Sequence, residues 1–280
     1  MRNIMFQAVS SSAGKSTLVA ALCRHYRRQG VNVTPFKAQN LSLNSYVTAE
    51  GGEIGISTAF QAWACGLEPC NDMNPILLKP KGEGGLQIML DGSPLQDIGK
   101  GRRVPREELL QHVKAAYDRL ASKHDLIIIE GSGSPAEVNL RGRDIANMAT
   151  AHMVDAPVVL IGDIDKGGVF AGLYGTYHML EEADRPRVKA FLINKFRGDD
   201  SILAPGIKWL EDDLDCPCLG ILPYTRLRAP AEDSMEIGKE QTDGAGGDVR
   251  QVWLDSLDTF TDRLEKALDL AVIDKIIKEG

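Results

Sequence analysis

A short polar segment has residue types that suit the binding of a phosphate group. It reads Ser10-Ser11-Ser12-Ala13-Gly14-Lys15-Ser16, follows an apolar run and opens a predicted helix. Backbone N–H groups and the helix dipole at such a position attract an anion. The lysine can bridge the β- and γ-phosphates of a nucleotide, and the serine after it can hold Mg²⁺. We therefore predict ATP binding by Ser12, Ala13, Gly14, Lys15, Ser16 and Thr17.

This segment departs from the standard phosphate-loop pattern. Val9 stands where the pattern has its first glycine, and the small residue Ala8 lies one position earlier, as in a loop longer by one residue. A serine-rich helix cap with a chance Gly-Lys-Ser is the alternative interpretation. The context of strand, loop and helix favours the phosphate loop.

Two further apolar runs end in polar residues that suit a nucleotide site. Residues 126–129 lead to Glu130, where phosphate-loop proteins place an acidic magnesium ligand. We predict Ser16 and Glu130 as metal ligands; an ordinary charged residue at a strand end is the alternative. A later run ends in Asn194 and Lys195, a common place for recognition of the base, although the full N-K-x-D pattern is absent.

Short apolar runs alternate with helical patterns along the chain. Helical patterns cover residues 15–29, 105–120 and 202–214, and residues 82–91 read as a hairpin. Runs that are apolar on both faces suit parallel strands covered by helices. We therefore predict an α/β fold of the P-loop NTPase type, with a mainly parallel sheet flanked by helices. The predicted strands are residues 3–9, 32–36, 126–129, 157–161, 190–193 and 216–221.

The end of the chain differs in composition from the rest. We predict a P-loop domain over residues 1–235, a flexible linker over 236–248, and a C-terminal amphipathic helix over 249–280. One face of this helix could dock on the core or mediate pairing with a partner. That face would consist of Leu257, Phe260, Leu264, Leu268 and Ala271, which recur at spacings of three or four.

The overall composition excludes several classes of protein. The 32 basic and 39 acidic side chains give a net charge of −7, so we expect no general attraction to nucleic acid or anionic membranes. No apolar run approaches the roughly 18–20 residues that span a bilayer. The five cysteines are irregularly spaced, which suits free thiols in a reducing compartment. We therefore expect a cytoplasmic protein.

Several further blocks are too unusual to be core packing, and the first of them, residues 36–48, is dense in hydrogen-bonding side chains, as a ligand-lining loop is. Their sequences are FKAQNLSLNSYVT (36–48), MNPILLKP (73–80), GSGSPAEVNL (131–140), DIANM (144–148), DIDKGGVF (163–170) and NKFRGD (194–199). With the phosphate loop, they resemble in order the N-terminal ATP-using synthetase domain of the cobyric acid synthases, glutamine-dependent amidases of cobalamin biosynthesis. The resemblance covers residues 1–233 and implies a fold similar to dethiobiotin synthetase.

The resemblance implies a chemistry of carboxylate activation. ATP would phosphorylate a side-chain carboxylate of a corrin ring, and ammonia would displace the phosphate to leave an amide. Lys15 and Lys37 would neutralise charge on the transferred phosphoryl group. Asp163 and Asp165 could bind Mg²⁺ or orient the nucleophile, or could equally cap the following turn. Asn194 would face the adenine.

The resemblance also implies that three loops, residues 39–46, 137–144 and 163–168, surround the acceptor carboxylate. Arginine forks suit the several carboxylates of a corrin acceptor, although for Arg141 and Arg143 a solvated surface charge is the alternative. We predict acceptor contacts from Gln39, Asn40, Ser42, Asn44, Tyr46, Glu137, Asn139, Arg141 and Asp144.

One departure from the family concerns the source of nitrogen. The family normally continues into a glutaminase domain with a nucleophilic cysteine, and no cysteine of this sequence has a G-x-C-x-G setting. We therefore expect ammonia from solution or from a separate glutaminase subunit, and a homo-oligomer remains open. Alternatives are a gene fragment, or a nucleotide-binding regulatory protein of the same P-loop family that no longer amidates.

Overall fold

The computed structural model describes residues 2–81, 85–95, 104–230 and 248–280. The strands are β1 (Arg2–Ala8), β2 (Val33–Phe36), β3 (Gln39–Leu41), β4 (Ser45–Val47), β5 (Glu53–Gly55), β6 (Ile76–Lys81), β7 (Gly85–Leu90), β8 (Ser93–Pro94), β9 (Leu126–Glu130), β10 (Val158–Asp163), β11 (Val188–Phe196) and β12 (Cys218–Pro223). The helices are α1 (Lys15–Arg28), α2 (Ile56–Ala64), α3 (Arg106–Ala121), α4 (Met148–Met153), α5 (Val169–Met179), α6 (Ala204–Leu214), α7 (Val249–Ala267) and α8 (Leu270–Glu279).

Six of the strands form one central sheet in the order β12-β11-β10-β1-β9-β2, and every neighbouring pair is parallel. Parallel neighbours need long crossover connections, and these place helices on both faces of the sheet. The predicted α/β fold with a mainly parallel sheet is therefore confirmed. Each of the six predicted strands has an observed counterpart, namely β1, β2, β9, β10, β11 and β12.

Alternate side chains of the central strand β1 enter two separate hydrophobic clusters. Ile4 and Phe6 pack with apolar residues of α1, α2, α7 and α8. Met5 points to the other face and packs with residues of α3, α4, α5 and α6. The burial of both faces explains why the strand is a continuous apolar run. In the described ranges, no helix combines the length and the apolar character that crossing a membrane requires.

Two small sheets lie beside the central one. One has the order β3-β6-β7-β8, and β4 pairs with β5 in the other. The polar block 36–48, predicted as a ligand-lining loop, therefore contains the two short strands β3 and β4. The hairpin predicted over 82–91 is formed by β6 and β7, so its first arm lies earlier in the chain than predicted. Residues 82–84 lie outside the described residues.

The terminal segment 249–280 consists of two helices, so the prediction of one helix was wrong. The first ends at Ala267, and the side chain of Asp269 accepts a hydrogen bond from the backbone N–H of Val272 to cap the second. A new cap starts a new helix with its own apolar face. Ala271 is therefore exposed, and Ile273 is buried instead. Residues 236–247 of the predicted linker lie outside the described residues.

The apolar face of α7 is covered by the chain itself. Leu257, Phe260 and Leu264 are buried in the cluster that also contains Leu18 of α1 and Leu222 of β12. Of the two possibilities left open by the sequence, the structure shows docking on the core. A homo-oligomer would need another surface and stays a prediction.

The contact between α1 and α7 should weaken in acid. Arg24 donates to both carboxylate oxygens of Asp258, at 2.6 and 3.0 Å, and Arg28 donates to Oδ1 at 2.9 Å. These hydrogen bonds, that from Arg24 above all, lower the pKa of Asp258. A depressed carboxyl pKa stabilises the fold above the pKa of the unfolded chain, about 3.9, and the contribution is lost as the pH falls through the folded pKa.

We expect Asp258→Asn to reduce the free energy of unfolding by about 1 kcal/mol at pH 7, because the pair is partly exposed. The difference from wild type should narrow as the pH falls below about 4. Urea unfolding across this pH series measures both quantities. A difference that stays constant into acid would contradict an electrostatic origin.

Candidate nucleotide and acceptor site

The segment predicted as a phosphate loop connects β1 to α1 at the carboxyl edge of the sheet, between β9 and β10. Ser12 and Gly14 have positive φ angles of 59° and 92°. Neither Ala8 nor Val9 has a positive φ, and the Val9 N–H continues the sheet by donating to the carbonyl of Ile161 at 3.0 Å. The absence of the usual first glycine therefore forces no left-handed backbone angle on Ala8 or Val9.

Side chains at the ends of neighbouring strands hold the backbone of this loop. Three consecutive carbonyl oxygens accept hydrogen bonds: that of Ser11 from Lys166 Nζ at 3.2 Å, that of Ser12 from Lys195 Nζ at 2.5 Å, and that of Ala13 from Asn194 Nδ2 at 2.8 Å. These contacts help to fix the path of the loop without the first glycine of the standard pattern.

Gly14 is required at its position for two separate reasons. An alanine Cβ there would lie 2.4 Å from Nδ2 of Asn194, and the positive φ disfavours any L side chain by about 1–2 kcal/mol. We expect Gly14→Ala to destabilise the fold and to weaken nucleotide binding at least about tenfold, because the loop must shift away from Asn194.

A matched control for Gly14→Ala is Gly30→Ala. Gly30 also has a positive φ, of 79°, but a Cβ there would meet no atom within 4 Å. Chemical denaturation and nucleotide titration of both variants separate backbone strain from the clash. If Gly14→Ala and Gly30→Ala lost the same stability and both still bound nucleotide, the close approach of Gly14 to Asn194 would not have the role assigned to it.

Glu130, at the end of β9, lies at the centre of a buried polar cluster and is 1% exposed. Its Oε1 accepts hydrogen bonds from Ser16 Oγ at 2.6 Å and Lys37 Nζ at 2.8 Å, and its Oε2 accepts one from Gln61 Nε2 at 2.6 Å. Lys15 precedes Ser16 at the start of α1, and its Nζ donates to the carbonyl of Gly133 at 3.0 Å. The structure therefore brings together Ser16, Lys37 and Glu130, which are far apart in sequence.

The donor set around Glu130 fits a magnesium ion. A serine hydroxyl and a carboxylate are hard oxygen ligands, and Mg²⁺ usually takes one or two carboxylates, phosphate oxygens and water. Within the described ranges, no three His, Cys, Asp or Glu side chains lie together in a way that would hold a metal by themselves. A cation at Glu130 would therefore also need ligands from the nucleotide and from water. Gln61 Oε1 is buried without a partner in the cluster and offers a further acceptor. The residues thus fit a cation that shares its ligands with a bound phosphate.

A cavity of about 890 Å³ opens beside this cluster. Its lining includes the phosphate loop, Lys15, Ser16, Lys37 and Glu130. The rest of the wall contains both charged and exposed apolar side chains. Its arginines are Arg106, Arg141 and Arg143, its carboxylates are Glu137, Asp144, Glu181 and Asp184, and its exposed apolar residues include Leu86, Leu140 and Met179. The cavity therefore joins a phosphate-binding end to a wall on which arginines that could bind carboxylates lie among acidic and apolar side chains.

The predicted acceptor residues divide into two groups. Those that line the cavity are Gln39, Asn40, Glu137, Arg141 and Asp144. Those outside its lining are Ser42, Asn44, Tyr46 and Asn139.

Local contacts explain why some predicted residues lie outside the lining. Tyr46 packs edge-to-face on Trp63, with ring centroids 5.2 Å apart. The Ser42 hydroxyl bonds the backbone N–H and carbonyl of Asn44, each at 3.1 Å. Even among the lining residues, Asp144 uses its carboxylate to accept from the N–H groups at the start of α4. Tyr46 and Ser42 therefore have these contacts within the protein, and their predicted contacts with an acceptor stay predictions.

The two predicted catalytic aspartates also lie outside the cavity lining. Asp163 accepts from Lys195 Nζ at 2.9 Å and from the N–H of Asp165 at 3.0 Å. Asp165 accepts from Arg197 Nε at 3.0 Å on the surface. These positions fit the turn-capping alternative rather than contact with an acceptor.

The side chain of Asn194 is engaged at both ends. Its Nδ2 holds the carbonyl of Ala13, and its Oδ1 accepts from the N–H of Lys195 at 2.9 Å. In this structure Asn194 therefore supports the phosphate loop. The contacts of Asn194 and Lys195 with a base stay predictions.

Sequence reasoning missed three residues of the site. Gln61 lies within the mainly apolar helix α2, where a lone glutamine was its signal. Asn147 bonds the N–H and the carbonyl of Ser132, at 3.1 and 2.7 Å, and so holds the turn whose Gly133 carbonyl contacts Lys15. Arg106 follows the predicted start of α3 and donates to the carbonyl of Asp144 at 2.8 Å.

Comparisons with known proteins agree with this arrangement. Residues 4–237 match the model of the family described as CobQ/CobB/MinD/ParA nucleotide binding domain. The probable cobyric acid synthase of Methanosarcina mazei is 47% identical over 264 residues, which are 93% of this chain and 54% of that protein. The cobyric acid synthase of Clostridium botulinum strain Kyoto is 47% identical over 264 residues, 94% of this chain and 53% of that protein.

The chain spans about half the length of the curated relatives it matches. Among solved structures, chloroplast FtsY from Physcomitrella patens aligns with a TM-score of 0.46 and 16% identity, over 91% of this chain and 65% of that one. The predicted resemblance to the N-terminal part of the cobyric acid synthases is confirmed. Because the family model covers most of its residues, the chain belongs to the CobQ/CobB/MinD/ParA nucleotide binding domain family.

Proposed function

We propose that this chain activates carboxylates of a corrinoid acceptor, in the manner of a cobyric acid synthase, with ATP and Mg²⁺. One observation carries the proposal: a single cavity joins the phosphate loop, Lys15 and Lys37 to a wall that contains Arg106, Arg141 and Arg143. A protein that only bound and released nucleotide would not need this second wall. The names of its relatives also favour a synthase over a regulatory protein.

The proposed reaction has two steps. In the first step, an acceptor carboxylate oxygen attacks the γ-phosphorus of ATP, and the bond from that phosphorus to the β–γ bridging oxygen breaks. ADP departs, and the acceptor carboxylate becomes an acyl phosphate. In the second, ammonia attacks the acyl carbon, inorganic phosphate leaves with the C–O bond electrons, and the nitrogen loses its excess proton to solvent. Both steps pass through highly charged oxygens, so a site rich in fixed cations accelerates them.

Residues of this chain supply that environment. Lys15 and Lys37 hold positive charge at the phosphate end of the cavity, and both are buried. When bound at Ser16 and Glu130, Mg²⁺ would neutralise phosphate oxygens. Preorganised charges in a water-poor site stabilise developing negative charge more strongly than they would in water.

The opposite wall would recognise the acceptor. Arg106, Arg141 and Arg143 offer planar forks that match carboxylates. Leu140 and Met179, which line the same cavity, offer exposed apolar surface. An apolar macrocycle with carboxylates on its rim meets both requirements, which supports a corrinoid acceptor. We further propose that ammonia comes from solution or from a separate glutaminase subunit, and that the protein acts in the cytoplasm.

Turnover of ATP with Mg²⁺ and ammonium tests this function, with and without cobyrinic acid a,c-diamide. We expect ADP release that depends on the acceptor. For each amide formed, the product should be lighter than the acceptor by the difference in mass between a hydroxyl and an amino group. Nucleotide binding without any stimulation by the acceptor would overturn the amidation and support the regulatory alternative.

A further inference from the structure

Gln61 makes the link between α2 and the charged cluster. It is fully buried, and its Nε2 lies 2.6 Å from Glu130 Oε2 and 3.2 Å from the backbone carbonyl of Ser16. Both partners are acceptors, so the atom between them must be the amide nitrogen and not the oxygen. This contact pattern fixes the orientation of the whole side chain.

The contact restrains the carboxylate that would bind the cation. Ser16 and Lys37 both donate to Oε1 of Glu130, whereas Gln61 donates to Oε2. A carboxylate held at both oxygens cannot rotate about its last bond. The second hydrogen bond of Gln61 ties the same amide to the first turn of α1, which carries the Ser16 hydroxyl. One side chain therefore sets the relative position of both predicted magnesium ligands.

The other end of the Gln61 amide is unexplained by the protein alone. Its Oε1 is buried and has no hydrogen-bond partner in the part of the chain that the structure describes. An unsatisfied buried carbonyl costs about 1–3 kcal/mol, and a hydrogen bond from a water molecule would recover that cost. Water molecules on a magnesium ion are strong donors and need such acceptors.

We propose that Gln61 is a positioning residue of the cation site. Its Nε2 orients Glu130 against Ser16, and its Oε1 accepts a hydrogen bond from water on the bound cation. This inference rests on the proposed magnesium–nucleotide site, but not on the identity of the acceptor or on amide formation. Residues that orient metal ligands in this way typically change metal affinity by about 10–100-fold when they are replaced.

The test compares two buried glutamines. Gln61→Met removes the amide and keeps a similar volume. Gln7→Met is the matched control, because Gln7 is equally buried and also has an unpartnered Oε1, but its Nε2 contacts Met5 Sδ at 3.4 Å rather than Glu130. The readout is the affinity for a non-hydrolysable ATP analogue in the presence of Mg²⁺ and in EDTA, without any acceptor.

For Gln61→Met we expect the gain in analogue affinity from Mg²⁺ to fall by about 10–100-fold, with the affinity in EDTA unchanged. Gln7→Met should keep the wild-type gain. A wild-type gain in Gln61→Met, or an equal loss in Gln7→Met, would overturn the proposal.

Gln61→Asn serves if Gln61→Met does not fold. The shorter amide cannot span Ser16 and Glu130, so the same loss is expected, and a wild-type gain would again overturn the role. Wild-type protein without any gain from Mg²⁺ would overturn the cation site itself. The turnover assay of the proposed function is separate from this binding test. ADP release that did not depend on the acceptor would count against the proposed function, but the binding result for Gln61 could still be interpreted.

Discussion

Replacement of Lys15 by methionine is expected to lower acceptor-dependent ATP turnover by about 10²–10³-fold and to leave the fold intact. The Lys15 side chain is buried at the start of α1, and Nζ contacts the carbonyls of Gly133 at 3.0 Å and Ser10 at 3.4 Å. Methionine preserves the aliphatic stem but removes the charge. A bound triphosphate would offer this ammonium charged oxygens, which are stronger partners than the carbonyls of Gly133 and Ser10.

The control for this variant is Lys208→Met. Lys208 pairs with Asp212 on the exposed surface of α6, so its replacement removes one positive charge away from the cavity. Release of ADP in single-turnover and steady-state assays measures both variants, and circular dichroism checks their folding. Lys15→Met with near-normal turnover, or Lys208→Met with a comparable loss, would show that the charge of Lys15 is not what drives phosphoryl transfer.

The sequence predicts the phosphate end of the cavity well because its signals are local. A strand, a polar loop with Gly14 and Lys15, and a helix are read from neighbouring residues. The long-range contact of Ser16 with Glu130 also follows from a general rule, since the carboxyl ends of adjacent parallel strands meet at one edge of the sheet. The structure places these two side chains 2.6 Å apart.

Which residues line the rest of the cavity is harder to predict, because a dense polar block does not reveal which side chains face a cavity. Gln39 and Asn40 line it, whereas Tyr46 packs on Trp63 in the core. That difference depends on the small strands β3 and β4 and on what lies against them. Contacts between blocks that are distant in sequence decide the outcome, and no local pattern records them.

Gln61 was missed for a related reason. A single glutamine in an apolar helix does not stand out until its partners are known, and both belong to other elements of the fold. The break between α7 and α8 was missed because the apolar spacing continues through Leu268. The extended backbone of Leu268, which pairs with Gly220, and the cap formed by Asp269 separate the two helices.

A second large effect is expected from Glu130→Gln. Glu130 and Lys37 form an ion pair with side-chain exposures of 1% and 6%. Loss of one partner of a buried pair typically costs about 3–5 kcal/mol, because the remaining charge is no longer neutralised. Glutamine preserves the size of the side chain, so the loss is electrostatic. The same change removes the proposed magnesium carboxylate and should abolish the effect of Mg²⁺ on nucleotide affinity.

The double variant Glu130→Gln/Lys37→Met separates stability from chemistry. Removal of both charges leaves neither member of this pair as an unneutralised buried ion, so urea unfolding should recover most of the stability lost in Glu130→Gln. ATP turnover by the double variant should nevertheless be abolished, because the carboxylate that would bind the cation and the positive charge of Lys37 are both gone. A double variant no more stable than Glu130→Gln would show that the ion pair does not explain the loss. A double variant with wild-type turnover would show that the pair lies near the reaction without taking part in it.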